Sequence, residues 1–393
     1  MANIIDYCES ELRSFDAFPF SEVDSLVLAQ LAYLEYKDAV SPRFQRMGAP
    51  ALKELFRAEL FEGMLGSIRA PQLNRALLAA CAASPRFRDI RLCGYVSQLD
   101  IAQQKQFAAV TFLLPDGSVY AAFRGTDGTL VGWKEDFNMV YRTPVPAQEQ
   151  AALYLTKAMK VFPRVPFRTG GHSKGGNLAV FAAMKAAASE KKRLAAVYSH
   201  DGPGFRSDVF AGQAFSSVEA SIRKTMPQSA VIGMLLQSQE RYTVVQSDEF
   251  WLGQHDPFSW QVENSAFLQA EAVTQASEFL DSTLAQWLET LPDDKRQELV
   301  DTLFSLLEAT GAETLGDLGK NWQQNIAAVY EAGKALDEQT RSWIFSVFAA
   351  LGKLAVKNID ILPDWAELPD AGKSAWEKLQ SYFEEKKADP AQK

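Results

Sequence analysis

Three cysteines and three histidines in 393 residues are few, and each shortage excludes something. Cys8, Cys81 and Cys93 are odd in number and stand at unrelated spacings, so neither a disulfide framework nor a thiolate metal site is indicated; they read as buried thiols. Positive charge is also short. Forty Lys and Arg stand against 49 Asp and Glu, a net charge of -9 spread along the chain with no basic stripe, so a nucleic-acid surface is not expected. No stretch supplies the ~18 uninterrupted apolar residues of a membrane helix. The opening residues carry acidic side chains where a secretory signal needs positive charge, which makes a cytoplasmic location the expectation.

What is present is a globular composition, 47% hydrophobic with 23% charged, enough for one large domain or two ordinary ones. The pattern turns on Thr169-Gly-Gly-His-Ser-Lys-Gly-Gly-Asn-Leu-Ala179. A short strand-like run, Val165 to Arg168, precedes it, and a breaker-free Ala-rich helical run follows from Leu178. Gly-x-Ser-x-Gly between a strand and a helix is the nucleophile elbow. The turn is so sharp that Gly171 and Gly175 are needed on either side of Ser173. The helix N-terminus beyond it favours negative charge developing on a substrate oxygen.

Around that centre the chain falls into two parts. Residues 17–36 read as a packing helix starting at Ser21 or Asp24, and the segment to about residue 86 is mostly helical. Residues 91–97, 107–114 and 119–124 are strand-like, with a Pro-Asp-Gly-Ser turn at 115–118 that makes the last two a hairpin. A helix over 148–162, the elbow, and strands at 195–199 and 241–247 complete an alternation that predicts an α/β class and a mainly parallel central sheet. From 266 the pattern is helical, over 266–291, 295–309, 322–336, 340–359 and 371–387. The predicted domains are therefore 1–265 and a helical C-terminal subdomain or cap, 266–393, through which a homo-oligomer could form.

A serine hydroxyl needs a base and an orienting carboxylate. His172 lies inside the elbow, with its side chain expected to point away from the pocket, and His200 comes too early in the chain order Ser, Asp, His. His255, in a loop-like stretch, is left as the base. For the acid, Asp248 directly follows the strand ending at Gln246 and shares the loop that delivers His255; Asp201, in His-Asp-Gly-Pro-Gly, is the alternative, and Asp248 is favoured. The oxyanion donors are expected at the backbone N–H groups of Lys174 and of Thr126, in the Phe-Arg-Gly-Thr turn.

These segments, Phe123-Arg-Gly-Thr, Trp133-Lys-Glu-Asp-Phe and Gly171 to Ala179, followed by Asp248 and His255, resemble the fungal-type (class 3) lipase-like α/β-hydrolases. The resemblance is nearest to a bacterial branch of unknown function that also carries Asp-Gly-Pro-Gly-Phe and His-x-Pro-Phe-Ser-Trp, and it spans roughly residues 20–265. It implies an α/β-hydrolase fold, with nucleophile Ser173, acid Asp248, base His255 and donors Thr126 and Lys174. It further implies that Arg124 and Asp136 tie the oxyanion loop together. Lysine at 174, where such lipases often carry an apolar residue, suggests a preference for an anionic group on the substrate. The expected activity is hydrolysis of a small-molecule acyl ester without metal or cofactor. Acyl transfer to another acceptor uses the same residues, and an idle hydrolase fold serving as a binding or scaffold module is the alternative.

Overall fold

In this computed structural model, the structure describes residues 2–230, 236, 241–249, 251–273, 291–308, 310, 311, 313, 314 and 317. The helices expected over 322–336, 340–359 and 371–387, and most of the one over 266–291, lie outside them. The chain divides into two units, Met1–Gln297 and Glu298–Lys393. No helix among the described residues is long and apolar enough to cross a membrane.

The first unit is built on a seven-stranded sheet in the order β1 (Arg91–Asp100), β2 (Lys105–Leu113), β3 (Val119–Phe123), β4 (Phe167–His172), β5 (Leu194–His200), β6 (Ile222–Pro227) and β7 (Tyr242–Val245). The first two pairings are antiparallel and the other four parallel. The turn between β2 and β3 is the expected hairpin: the Gly117 N–H donates to Leu114 O at 3.0 Å, and Gly117 takes φ +81°, open to glycine.

Both faces of the sheet are covered, and the strand period decides which side chain goes where. Val110, Phe112, Tyr120 and Ala122 join one core with Leu26, Val27, Leu77 and Leu78. These last come from α2 (Glu22–Leu31) and α5 (Pro71–Ala83), which follow α1 (Ile4–Ser10) and precede β1 together with α3 (Leu52–Leu55) and α4 (Ala58–Leu65). The alternate residues Ala109, Ala121 and Phe123 face the other core, with Leu155, Leu178 and Phe181. This second layer is α7 (Pro146–Val161) and α8 (Lys174–Lys185), while α6 (Leu130–Asn138) follows β3. Parallel strands flanked by helices on both faces, with the nucleophile between β4 and α8, make this an α/β-hydrolase fold.

The sheet extends past its expected end. Residues 266–273, expected to open the helical C-terminal part, return to it instead: β9 (Ala266–Phe267) pairs with β8 (Val262–Glu263), Gln269 bridges to Val245, and Ala270 N–H donates to Val244 O at 2.9 Å. Val262 and Phe267 are buried in the first core, which explains why a run without helical caps adopts strands. The helix expected over 295–309 is observed at Asp293–Glu308, with Leu299, Val300, Leu303, Phe304 and Leu307 buried along one side.

The α2 face is fixed by a buried ion pair. Ser21 caps α2 with Asp24 completing the capping box, and Arg86 donates to both Asp24 oxygens, at 2.8 Å from Nε and 2.6 Å from Nη2. Both side chains are fully buried. Removing one partner strands the other charge, so Asp24→Ala is expected to lower unfolding free energy by about 3–5 kcal/mol, read from the urea midpoint.

Candidate active site

Ser173 stands between β4 and α8 with φ 57° and ψ −134°, a backbone state that non-glycine residues rarely hold. The surrounding backbone enforces it. A Cβ on Gly175 would lie 2.1 Å from Phe123 O, and one on Gly171 2.4 Å from both Phe123 O and Gly175 C, so α8 approaches β3 only because both are glycine. Ser173 N–H donates to His200 O at 2.9 Å, which locks the turn to the neighbouring strand β5. Its 8% exposure leaves an opening to a cavity lined by Trp133, Asp136, Phe137, Val140, Lys174, Pro203 and Leu236.

His255 ends the 3-10 turn Trp251–His255, and its Nδ1 lies 2.5 Å from Asp201 Oδ2. Asp201 is fully buried directly after β5 and takes φ 48°, with its N–H on Thr225 O at 2.8 Å. The aspartate against His255 is therefore Asp201, the alternative, and not the favoured Asp248. Asp248 is solvent-exposed, and its N–H donates to Ser259 O at 3.0 Å. Strand order gives the reason: β5 is next to β4, whereas β7, which precedes Asp248, lies three strands away, about 14 Å at ~4.8 Å per strand. Asp201 and Asp248 both satisfy the order Ser, Asp, His, so chain order does not choose between them, and nearness of Asp248 to His255 along the chain had favoured it.

The other two histidines are held by hydrogen bonds. His200 Nε2 is 2.9 Å from Ser25 Oγ and Nδ1 is 2.7 Å from Thr225 Oγ1, and burial pulls its pKa down to about 3. His172 contacts Tyr33 and the His255 carbonyl, and burial, with His255 and His200 nearby, holds it well below the ordinary histidine range.

The oxyanion segment follows β3. Arg124 pairs with Glu35 and, at 3.6 Å, with Asp127. The Thr126 hydroxyl donates to Asp136 Oδ2, so Asp136, one of the two supporting residues that the resemblance implied, holds the loop at Thr126, while Arg124 holds it through Asp127. Lys174 opens α8, where a first-turn N–H has no partner within the helix. Its side chain corrects a second expectation. Rather than facing an anionic substrate group, the fully buried ammonium lies 2.7 Å from Gln106 Oε1, 3.0 Å from Gln106 O, 3.2 Å from Glu135 Oε2 and 3.6 Å from Asp136 Oδ1. Burial alone would depress its pKa, but Asp136, Glu135 and Asp127 outweigh that and raise it. Gln106 carried no motif, and Glu135 lay within the Trp133 to Phe137 segment without an expected role; a buried lysine's need for counter-charge points to both. Among the described residues, no group of three or more His, Cys, Asp or Glu is arranged to hold a metal ion.

A family model described as Mbeg1-like matches residues 81–305, which run from before β1 into the helix at Asp293–Glu308 and include Thr126, Ser173, Lys174, Asp201 and His255. The chain belongs to the Mbeg1-like family. No curated protein matches the sequence. Among solved structures, this Mbeg1-like chain is similar to the native Rhizomucor miehei lipase propeptide complex, at 16% identity and a TM-score of 0.28 over 40% of this chain and 57% of that one. It is similar also to M37 lipase, at 12% and 0.35 over 55% and 70%, and to lipase II from Rhizopus niveus, at 16% and 0.30 over 46% and 72%. The chain thus spans less than two thirds of the first of these. The fold assignment rests on the sheet and elbow described above.

Burial raises Asp136 to about 6, against the pull of Lys174 and the Thr126 hydroxyl. An acid raised on folding binds more protons folded than unfolded, so its share of stability is present at about pH 4 and is lost as pH rises through 6. Relative to Asp136→Asn, the natural protein is therefore expected to lose on the order of 3 kcal/mol between pH 4 and pH 7, read from paired urea midpoints.

Proposed function

We propose that this chain is a serine hydrolase of carboxylic esters. The observation that carries the reading is the 2.5 Å contact of His255 with buried Asp201, which follows the strand next to the one that leads into a serine in a strained elbow. A carboxylate on Nδ1 fixes the tautomer that leaves Nε2 free to accept a proton, and it stabilises the imidazolium once formed. In this mechanism Ser173 Oγ attacks the ester carbonyl while His255 Nε2 takes its proton. The Thr126 and Lys174 N–H groups receive the oxyanion, His255 protonates the departing alcohol, and water releases the acyl group by the reverse sequence.

The surroundings support neutral esters. With its ammonium held by Glu135, Asp136 and Gln106, Lys174 offers no unpaired cation to an anionic substrate. The cavity wall carries Trp133, Phe137, Val140 and Pro203, which suits an acyl chain or an apolar alcohol.

A fluorophosphonate probe tests the nucleophile: the natural protein is expected to label and Ser173→Ala to stay blank. Equal labelling of both, or none of either, returns the chain to the scaffold reading. With a short-chain aryl ester as substrate, Asp201→Asn is expected to lower kcat by about 10³–10⁴-fold. Asp248→Asn is expected to stay within twofold of the natural protein.

A further inference from the structure

The residue before Ser173 joins three segments of the site. His172 Nε2 lies 2.9 Å from the carbonyl oxygen of His255, and its Nδ1 lies 3.1 Å from the Tyr33 hydroxyl. A carbonyl can only accept, so Nε2 carries the proton and bare Nδ1 accepts from Tyr33. The His172 and His255 rings face each other with centroids 4.5 Å apart, inclined by 37°. Tyr33 follows α2, and its hydroxyl lies 2.1 Å from where a Cβ on Gly125 would sit. One chain of contacts thus runs from the oxyanion loop through Tyr33 and the last residue of β4 to the loop that carries the base.

We infer that His172 and Tyr33 are positioning residues, which set the place and orientation of the His255 imidazole relative to Ser173; this rests on the triad reading above. Other bonds hold the His255 segment one residue earlier, among them Trp260 Nε1 on Gln254 O at 2.8 Å, Gln254 Nε2 on Glu249 O at 3.1 Å and Ser229 N–H on Gln254 Oε1 at 2.7 Å. The His172 bond is made to the main-chain carbonyl of the base itself. Its neutrality matters as much as its geometry. Burial, then His255, His200 and Arg69, oppose a charge on His172, and a cation 4.5 Å from His255 would resist the imidazolium that must form there during proton transfer. Of the charged groups acting on Tyr33, which are Arg124, Arg69 and Asp136, Arg124 lies in the oxyanion segment and Asp136 accepts from Thr126 of that segment, so the same hydroxyl senses both halves of the site.

Two substitutions separate positioning from bulk packing. His172→Phe keeps the ring and removes both hydrogen bonds; His172→Gln places an amide N–H where Nε2 stood. The fluorophosphonate labelling rate is expected to fall about 100-fold in His172→Phe and to recover at least tenfold of that in His172→Gln. Histidine ¹⁵N NMR is eased by there being three histidines in all. It is expected to show His172 as the neutral Nε2–H tautomer, with the Nδ1 proton shared by His255 and Asp201 lost in His172→Phe and kept in His172→Gln. Should His172→Phe fail to fold, Tyr33→Phe removes a single O–H, and is expected to slow labelling about fivefold and shift the His172 resonances. Labelling of folded His172→Phe at the natural rate, or an Nδ1–H tautomer at His172, overturns the inference. If the natural protein does not label, the hydrolase reading fails, and the shared-proton signal alone decides positioning: unchanged in His172→Phe, it overturns the inference; lost there and kept in His172→Gln, it sustains it.

Discussion

The site depends on how closely α8 is pressed against the end of β3. With Phe123 O only 2.1 Å from where a Cβ on Gly175 would be, the first turn of α8 has one available position, and the backbone at Ser173 must take up the strain. The strain is held because everything around it is locked. Ser173 N–H is bonded to β5, its oxygen accepts from Gly176 N–H at 2.9 Å, and all of α8 from Lys174 to Met184 is buried. A serine placed this way is directed by the sheet, and in the proposed reaction it would need no reorganisation when a substrate arrives.

From that fixed point the parallel strands distribute the remaining chemistry. The C-terminal ends of β3, β4 and β5 lie side by side, so Gly125, Ser173 and Asp201 come together although 76 residues of chain separate the first from the last. Behind them lies a layer of paired charge: Arg124 with Glu35, and Lys174 with Glu135 and Asp136. Glu135 also receives the N–H groups of Gln106 at 2.9 Å and Ala147 at 2.8 Å, and so ties β2, α6 and α7 to the cation at the head of α8. Breaking that set leaves buried charge uncompensated, so rigidity here and integrity of the fold are one property.

What could be read from the sequence follows the range of the interactions involved. The elbow, the β2–β3 turn and the α2 cap are set by neighbouring residues, and Gly171, Gly175, Gly117 and Ser21 announced them. The class followed from alternating periods. His255 emerged because so few histidines exist. The partner of that histidine is a different matter: Asp248 and Asp201 both end strands and both precede His255, and only the lateral order of the strands tells them apart. Lateral order is a long-range property that periodicity does not encode. The same limit applies to Tyr33, Glu35, Gln106 and Glu135, ordinary residues of helices and strands until the fold brings them to the site. The return of residues 266–273 to the sheet was hidden because β8 and β9, at two residues each, are too short to show a period.

The caged ammonium of Lys174 has a kinetic corollary. A cation neutralised a few ångströms from its counter-ions has a field that falls off steeply with distance, so Lys174 does not draw charged molecules in from bulk solvent. Encounter with a substrate would then be governed by ordinary diffusion and by shape, and its rate would vary little with ionic strength.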